Sequence, residues 1–133
     1  FNKIKKKNDI NNLFFINSKL VGYTLLRKRS CLINKIKAKY LFLDTLIIKK
    51  NFRGQNKSKL KINFNNEIIK KHKMISFLLC KKNLLNFYEK FHWINIKNSN
   101  ISILDHSFSD NGMIFNYQNL KNNLTKFSFY INK

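Results

Sequence analysis

Residues 40–48 read YLFLDTLII and run straight into Lys49 and Lys50. Apart from Asp44 and Thr45, every side chain in the run is apolar. Nine such residues are short for a buried helix and suit a strand covered on both faces. A chain that carries this strand must place it inside a sheet with material packed above and below. Asp44 sits in the middle of it, where a charge is costly unless it is paired or used. Residues 51–58, NFRGQNKS, then form a loop. From Lys57 to His72 the period changes. Leu60, Phe64 and Ile68 recur every four residues, with Ile69 beside them, which predicts an amphipathic helix with that apolar side turned inward. Residues 75–80, ISFLLC, read as a second buried strand. Strand, crossover helix and strand together imply a parallel or splayed pair at the centre of a mixed α/β sheet.

The rest of the chain attaches to that unit. Leu13 to Ile16, a turn at Asn17-Ser18-Lys19 and Leu20 to Leu26 predict a β-hairpin. The basic stretch from Arg27 to Lys39 is expected to contain the next turn. Leu84, Leu85, Tyr88 and Phe91 make one face of a short helix ending near His92. Residues 93–96, 101–104, 113–117 and 127–131 are further strand candidates whose pairing the sequence leaves open. The 133 residues fit one domain, with its motif-bearing part at about residues 13–97.

The formal net charge is +21, with six acids against 27 basic residues. Such a field favours polyanions, so nucleic acid, anionic surfaces and polyphosphate ligands are open. The excess is nearly all lysine and travels with many Asn and Ile. Those three share A/T-rich codons, so base composition alone accounts for most of it. Two cysteines without a CxxC, and three scattered histidines, give neither a disulfide framework nor a metal site. No apolar run reaches the ~20 residues of a membrane span, and no secretory signal opens the chain. A cytoplasmic protein is the expectation.

The chemistry is carried by the join of strand, NFRGQNKS and helix. A loop of this kind turns backbone N–H groups toward one point at a helix N-terminus, where free donors and the dipole favour an anion. Arg53, Lys57 and Lys59 add charge, and a pyrophosphate suits the place. Arg53-Gly54-Gln55-Asn56-Lys57-Ser58 resembles the coenzyme A pyrophosphate motif of the GNAT superfamily of N-acetyltransferases, Q/R-x-x-G-x-G/A. Asn56 stands where that family has glycine, and Ser58 where it has glycine or alanine. Asn83 to Trp93, NLLNFYEKFHW, resembles the family's FYEKxGF/W segment, with His92 at the glycine position. Leu20-Val21-Gly22-Tyr23 resembles its "elvGf" strand.

The resemblance implies a mixed, centrally splayed sheet flanked by helices, the acyl-CoA N-acyltransferase fold. It implies that acetyl-CoA, or another acyl-CoA, is the co-substrate, with no metal. The pantetheine arm would lie along the strand of residues 40–48, against backbone groups of Leu46, Ile47 and Ile48, with Asn83 nearby. Tyr88 matches the family's general acid, and Asp44 lies where an acid often acts as base or positions the amine. An acyl group would pass directly to a primary amine.

Plainer readings stand beside these. Tyr88 can be a core tyrosine, Asp44 can pair with a neighbouring lysine or cap a bulge, and Cys80 and Trp93 suit a core. His72 and His92 suit helix ends. Two other functions stay open: a basic RNA- or DNA-binding module, and a GNAT-like domain that binds CoA without turnover. The family's strand and helices ahead of the hairpin have only about a dozen residues here, so either more chain precedes or the acceptor site is open. Many relatives in the family are dimers.

Overall fold

The computed structural model describes residues 9–50, 56–117 and 124–133, those at 56–58 through their backbone alone. The elements run β1 (Ile10–Ile16), β2 (Lys19–Ile33), β3 (Ile36–Ile48), α1 (Asn56–Lys71), β4 (Ile75–Cys80), α2 (Leu85–Glu89), β5 (Ile94–Ile96), β6 (Ile101–Ile103), β7 (Asn111–Phe115) and β8 (Phe127–Phe129). A 3₁₀ turn, Lys82–Leu84, leads into α2. The strands form one mixed sheet in the order β5-β7-β4-β3-β2-β8-β6, with β1 paired to β2.

Both hairpins turn on two residues with positive φ: Asn17 and Ser18 in the first, Asn34 and Lys35 in the second. Two-residue loops of that hand match the twist of the strands they join. The basic stretch 27–39 is therefore mostly strand, with its turn reduced to two residues. β2 needs that length because it serves three partners: β1, β3 and β8.

β3 and β4 are parallel, and α1 crosses between them. Their ladder covers only Tyr40–Phe42 against Ile75–Phe77. Beyond Phe42 the two strands diverge, β3 staying with β2 and β4 with β7. The predicted splay lies at the C-terminal ends of both strands, the end at which open α/β sheets bind ligands.

Two cores lie on opposite faces. On one face α1 and α2 cover Leu26, Leu41, Leu43, Leu78, Met113 and Trp93. The other face is aromatic, with Tyr40, Phe42, Phe77, Phe127 and Phe129. No helix is needed there, because the sheet curls over it. β5 and β6 are the two ends of the strand path, yet Ile96 and Ile101 are five residues apart and share this core. Residues 98–133, whose place the sequence left open, supply β6, β7 and β8 and finish the curl.

The face of α1 differs from the expected one. Leu60 and Phe64 are 58% and 50% exposed, while Lys61, Ile62, Asn65, Asn66 and Ile69 are buried. The helix is rotated because its inner face carries an anchor that hydrophobic counting overlooks. Trp93 Nε1 donates to Asn66 Oδ1 at 3.0 Å, and Asn66 Nδ2 donates to the Phe91 carbonyl at 2.9 Å. A buried indole N–H needs such a partner, and the amide that supplies it fixes the helix rotation.

Candidate active site

The site begins with the open edge of β3. Lys49 N donates to the Val21 carbonyl at 2.8 Å. Antiparallel partners alternate, so Ile47 and Thr45 turn their backbone groups to β2 as well, opposite Tyr23 and Leu25. Leu46 between them directs its N–H and C=O the other way, toward the side that β4 has left. An extended ligand lying in the gap meets that donor and acceptor as an added strand would.

Asp44 sits at the mouth of the same gap for a local reason. Leu25 pairs with Thr45 and Leu26 with Leu43, so Asp44 is an extra residue, a β-bulge. The bulge puts Asp44 and Thr45 on one face, opposite the helices. There Arg27 Nε donates to Asp44 Oδ2 at 2.8 Å. Arg27 Nη1 reaches Asp9 Oδ2 at 3.0 Å, and Arg29 Nη1 reaches Asp9 Oδ1 at 3.3 Å. Arg27, Arg29 and Asp9 are buried side chains, so this is an internal chain of alternating charge rather than a surface pair. Tyr23 lies beside it. Burial raises its hydroxyl pKa; the nearby Arg27 opposes that, and Asp44 and Asp9 add to it.

Both plain readings of Asp44 therefore hold: it is paired, and it forms a bulge. Its partner is arginine rather than lysine. Neither Arg27 nor Arg29 was singled out from the sequence, yet a signal was there. Only three of the 27 basic residues are arginines. Two of them, Arg27 and Arg29, build this network, and the third is Arg53. Against a lysine-biased background, arginine marks a place where a planar, multi-donor cation is required.

Tyr88 projects from α2 into the helix-side core, its ring 6.0 Å from that of Trp93. Burial, helped by the Cys80 thiol, pushes its hydroxyl up to about 12. Cys80 ends β4 and is itself pushed up, first by burial and then by Asp110. Cys80 is thus a buried thiol, as the sequence suggested, with nothing to activate it. Asn83 is exposed in the turn between β4 and α2, at the same end of the sheet as the gap. Asn56, Lys57 and Ser58 form the first turn of α1. Arg53, Gly54 and Gln55 lie outside the described residues.

Two departures from the glycine-bearing motifs acquire a physical meaning. His92 has φ of 70°, the left-handed conformation glycine adopts without strain. Trp93 N closes the helix end on the Tyr88 carbonyl at 3.2 Å. The backbone thus keeps the glycine geometry with a histidine in it. Gly22 is a true match: a Cβ there would lie 2.9 Å from the Ile47 carbonyl and 2.6 Å from Lys61 Nζ. That close approach lets Lys61 lie across the strand. Its Nζ stands 5.1 Å over the Phe14 ring and has no hydrogen-bond partner among the described residues. Burial lowers Lys61 to about 8.

The residues present fit a coenzyme A thioester. Among the described residues no strand pairs with β3 at Leu46 on the side of the gap, and α1 begins beyond the end of β3. Among the described residues no cluster of His, Cys, Asp and Glu could hold a metal ion. No helix among them is long and apolar enough to cross a membrane.

No family model and no curated protein matches the sequence. Solved structures do match. The Bacillus subtilis N-acetyltransferase YlbP, determined with coenzyme A, is 15% identical, with TM-score 0.58 over 79% of this chain and 66% of its own. Escherichia coli ElaA is 17% identical, with TM-score 0.59 over 82% of this chain and 69% of its own. The KacTA–DNA complex contains a chain 16% identical, with TM-score 0.66 over 84% of this chain and 69% of its own. This chain therefore spans about two thirds of the length of these relatives, and it has the GNAT acyltransferase fold.

Proposed function

We propose that this chain, which has the GNAT fold, is an acyl-CoA-dependent N-acyltransferase that moves an acetyl or related acyl group directly to a primary amine. The observation that carries the reading is the end of the β3–β4 ladder at Phe42. Past it, the backbone of Leu46 faces a gap between the C-terminal ends of two parallel strands. Leu46 and Ile48 line the pantetheine arm in this reading, while Ile47, expected beside them, turns its backbone to β2. Arg53, Gly54, Gln55, Asn56, Lys57 and Ser58 hold the pyrophosphate at the start of α1, and Asn83 borders the gap.

Direct transfer asks for a neutral amine, an acceptor for its proton, and a proton for the departing thiolate. Tyr88 suits the last task, since a hydroxyl pushed up to about 12 keeps its proton at neutral pH. A thiolate leaving into the same dry gap is destabilised by the burial that raises Cys80, which favours taking that proton. Asp44 receives the acceptor amine, with Arg27 fixing the carboxylate's direction. A backbone N–H on the open edge polarises the thioester carbonyl.

The alternative of a nucleic-acid module draws on the +21 charge. Its aromatics argue against it: among the described residues Tyr40, Phe42, Phe77, Phe127 and Phe129 are all in the core, and Phe15 and Phe64 are the phenylalanines left exposed. Calorimetric titration of acetyl-CoA decides, with desulfo-CoA and ATP as controls and Arg53→Ala alongside. Binding that needs the pantetheine arm and weakens in the variant supports the reading. Binding no tighter than ATP and unchanged in the variant refutes it and points to RNA. Turnover with an amine panel, lost in Tyr88→Phe while acetyl-CoA still binds, separates an enzyme from an inactive CoA-binding domain.

A further inference from the structure

The end of the β2–β3 hairpin and the C-terminal segment border a half-open pocket of about 510 Å³. It is separate from the proposed acyl-CoA gap. Lys39 on its wall precedes Leu43, where β3 and β4 have parted, by four residues, roughly 13 Å of strand. Leu32 and the Tyr130 ring form its apolar part, with Lys37, Lys39 and Lys133 around them; the Ala38 methyl packs into the aromatic core on the other face, so Ala38 lines it through its backbone. No acid lines it. The volume is that of small-molecule sites.

The wall is fixed by hydrogen bonds from several elements. Tyr130 N donates to the Ser30 carbonyl at 3.0 Å. Tyr40 Oη donates to the Tyr130 carbonyl at 2.7 Å, and Arg29 Nε to the Ile131 carbonyl at 2.8 Å. The Asp105 carboxylate accepts from Ile131 N at 2.8 Å and Asn132 N at 2.9 Å. The segment carrying Tyr130 and Lys133 is thereby held on both sides. Two of the ammonium groups are also held: Lys39 Nζ donates to Ser30 Oγ at 2.7 Å, and Lys133 Nζ stands 4.9 Å over the Tyr130 ring. Charges ordered before a ligand arrives reduce the entropy lost on binding.

We propose that this pocket binds a small organic anion, its apolar or aromatic body on Leu32 and Tyr130 and its single carboxylate or phosphate head among Lys37, Lys39 and Lys133. Lysines alone would bind any anion. The apolar floor is what selects a head carried on a body. The site is independent of the acyl-CoA reading and stands or falls separately.

Amide and methyl NMR titration of the isotope-labelled chain tests it, with phenyl phosphate, phenylacetate, inorganic phosphate and benzyl alcohol. The expected result is a saturable shift confined to Leu32, Ala38, Lys39 and Tyr130. At least one of the aryl anions should bind ~10-fold tighter than both inorganic phosphate and benzyl alcohol. Which aryl anion wins identifies the head. The double variant Lys37→Ala/Lys39→Ala, both exposed positions, should lose ~10-fold in that affinity. Asp105→Asn should weaken the aryl anions and leave inorganic phosphate unchanged. The proposal fails if neither aryl anion outbinds inorganic phosphate. It also fails if the shifts spread over the basic surface and persist in the double variant.

Discussion

The two faces of the central sheet are closed by different means. The aromatic face is covered by the sheet's own curl, and its rings pack on one another, Phe77 and Phe129 with centroids 3.9 Å apart. The helix face is covered by α1, which turns three polar side chains inward: Lys61, Asn65 and Asn66. Among the described residues only Asn66 of these finds hydrogen-bond partners; Lys61 Nζ, which stands over the Phe14 ring, and both polar atoms of Asn65 do not. One face is thus settled by shape, the other by a single well-placed amide with unmet polar groups next to it. Burial is similar on both, so exposure alone does not tell which positions stabilise.

The comparison can be broken most sharply on the aromatic face. Phe129→Ala should cost about 3–5 kcal/mol, read as a lower midpoint in urea, because the stacked rings cannot close over the void. A cost below that of an ordinary surface change would mean the curl is held elsewhere. On the helix face, Asn66→Ala should cost about 1–3 kcal/mol by stranding the Trp93 N–H. Fluorescence of the one tryptophan should report the changed surroundings in the folded state.

Lys61→Met should do the opposite and stabilise, by about 1–3 kcal/mol at pH 7, since a buried unpaired ammonium is removed and its stem retained. The sign with pH follows from the lowered value of about 8 against the ordinary 10.5. Between these values the unfolded chain binds more protons, so the penalty is full below pH 8 and fades as pH rises toward 10.5. The gap in urea midpoint between Lys61→Met and the parent should therefore narrow across that window. A constant gap would show that Lys61 keeps its charge without cost. Smallest is His92→Gly, which should add about 1 kcal/mol by relieving a left-handed backbone. A loss there would mean the imidazole itself contributes a contact.

The sequence spoke clearly where one physical demand dominates a stretch. The run 40–48 has no outlet but a buried strand, and it is one, within Ile36–Ile48. β4 falls at Ile75–Cys80 as expected, and the crossover helix spans Asn56–Lys71. Asp44 was conspicuous because an acid in such a strand demands a reason. The apolar period held at Ile68 and Ile69, which pack on the core, and misled at Leu60 and Phe64, because it weighs helix faces by hydrophobicity, whereas Asn66 fixes the rotation through two directed bonds. The lysine-rich stretch 27–39 concealed the second half of β2 and the start of β3, since the exposed Lys35, Lys37 and Lys39 around the turn read as a loop.

Local pattern by itself determined this protein's elements, their order and the parallel crossover at the centre, because each depends on residues near one another in the chain. Tertiary structure alone decided the partners. Arg27 meets Asp9 across 18 residues, and Arg29 meets the Ile131 carbonyl across 102. The extent of the β3–β4 ladder, and with it the opening at Leu46, likewise depends on β2 and β7 drawing the two strands apart. Hydrogen bonds and ion pairs form between groups whose separation in sequence is unconstrained, so no period or motif announces them.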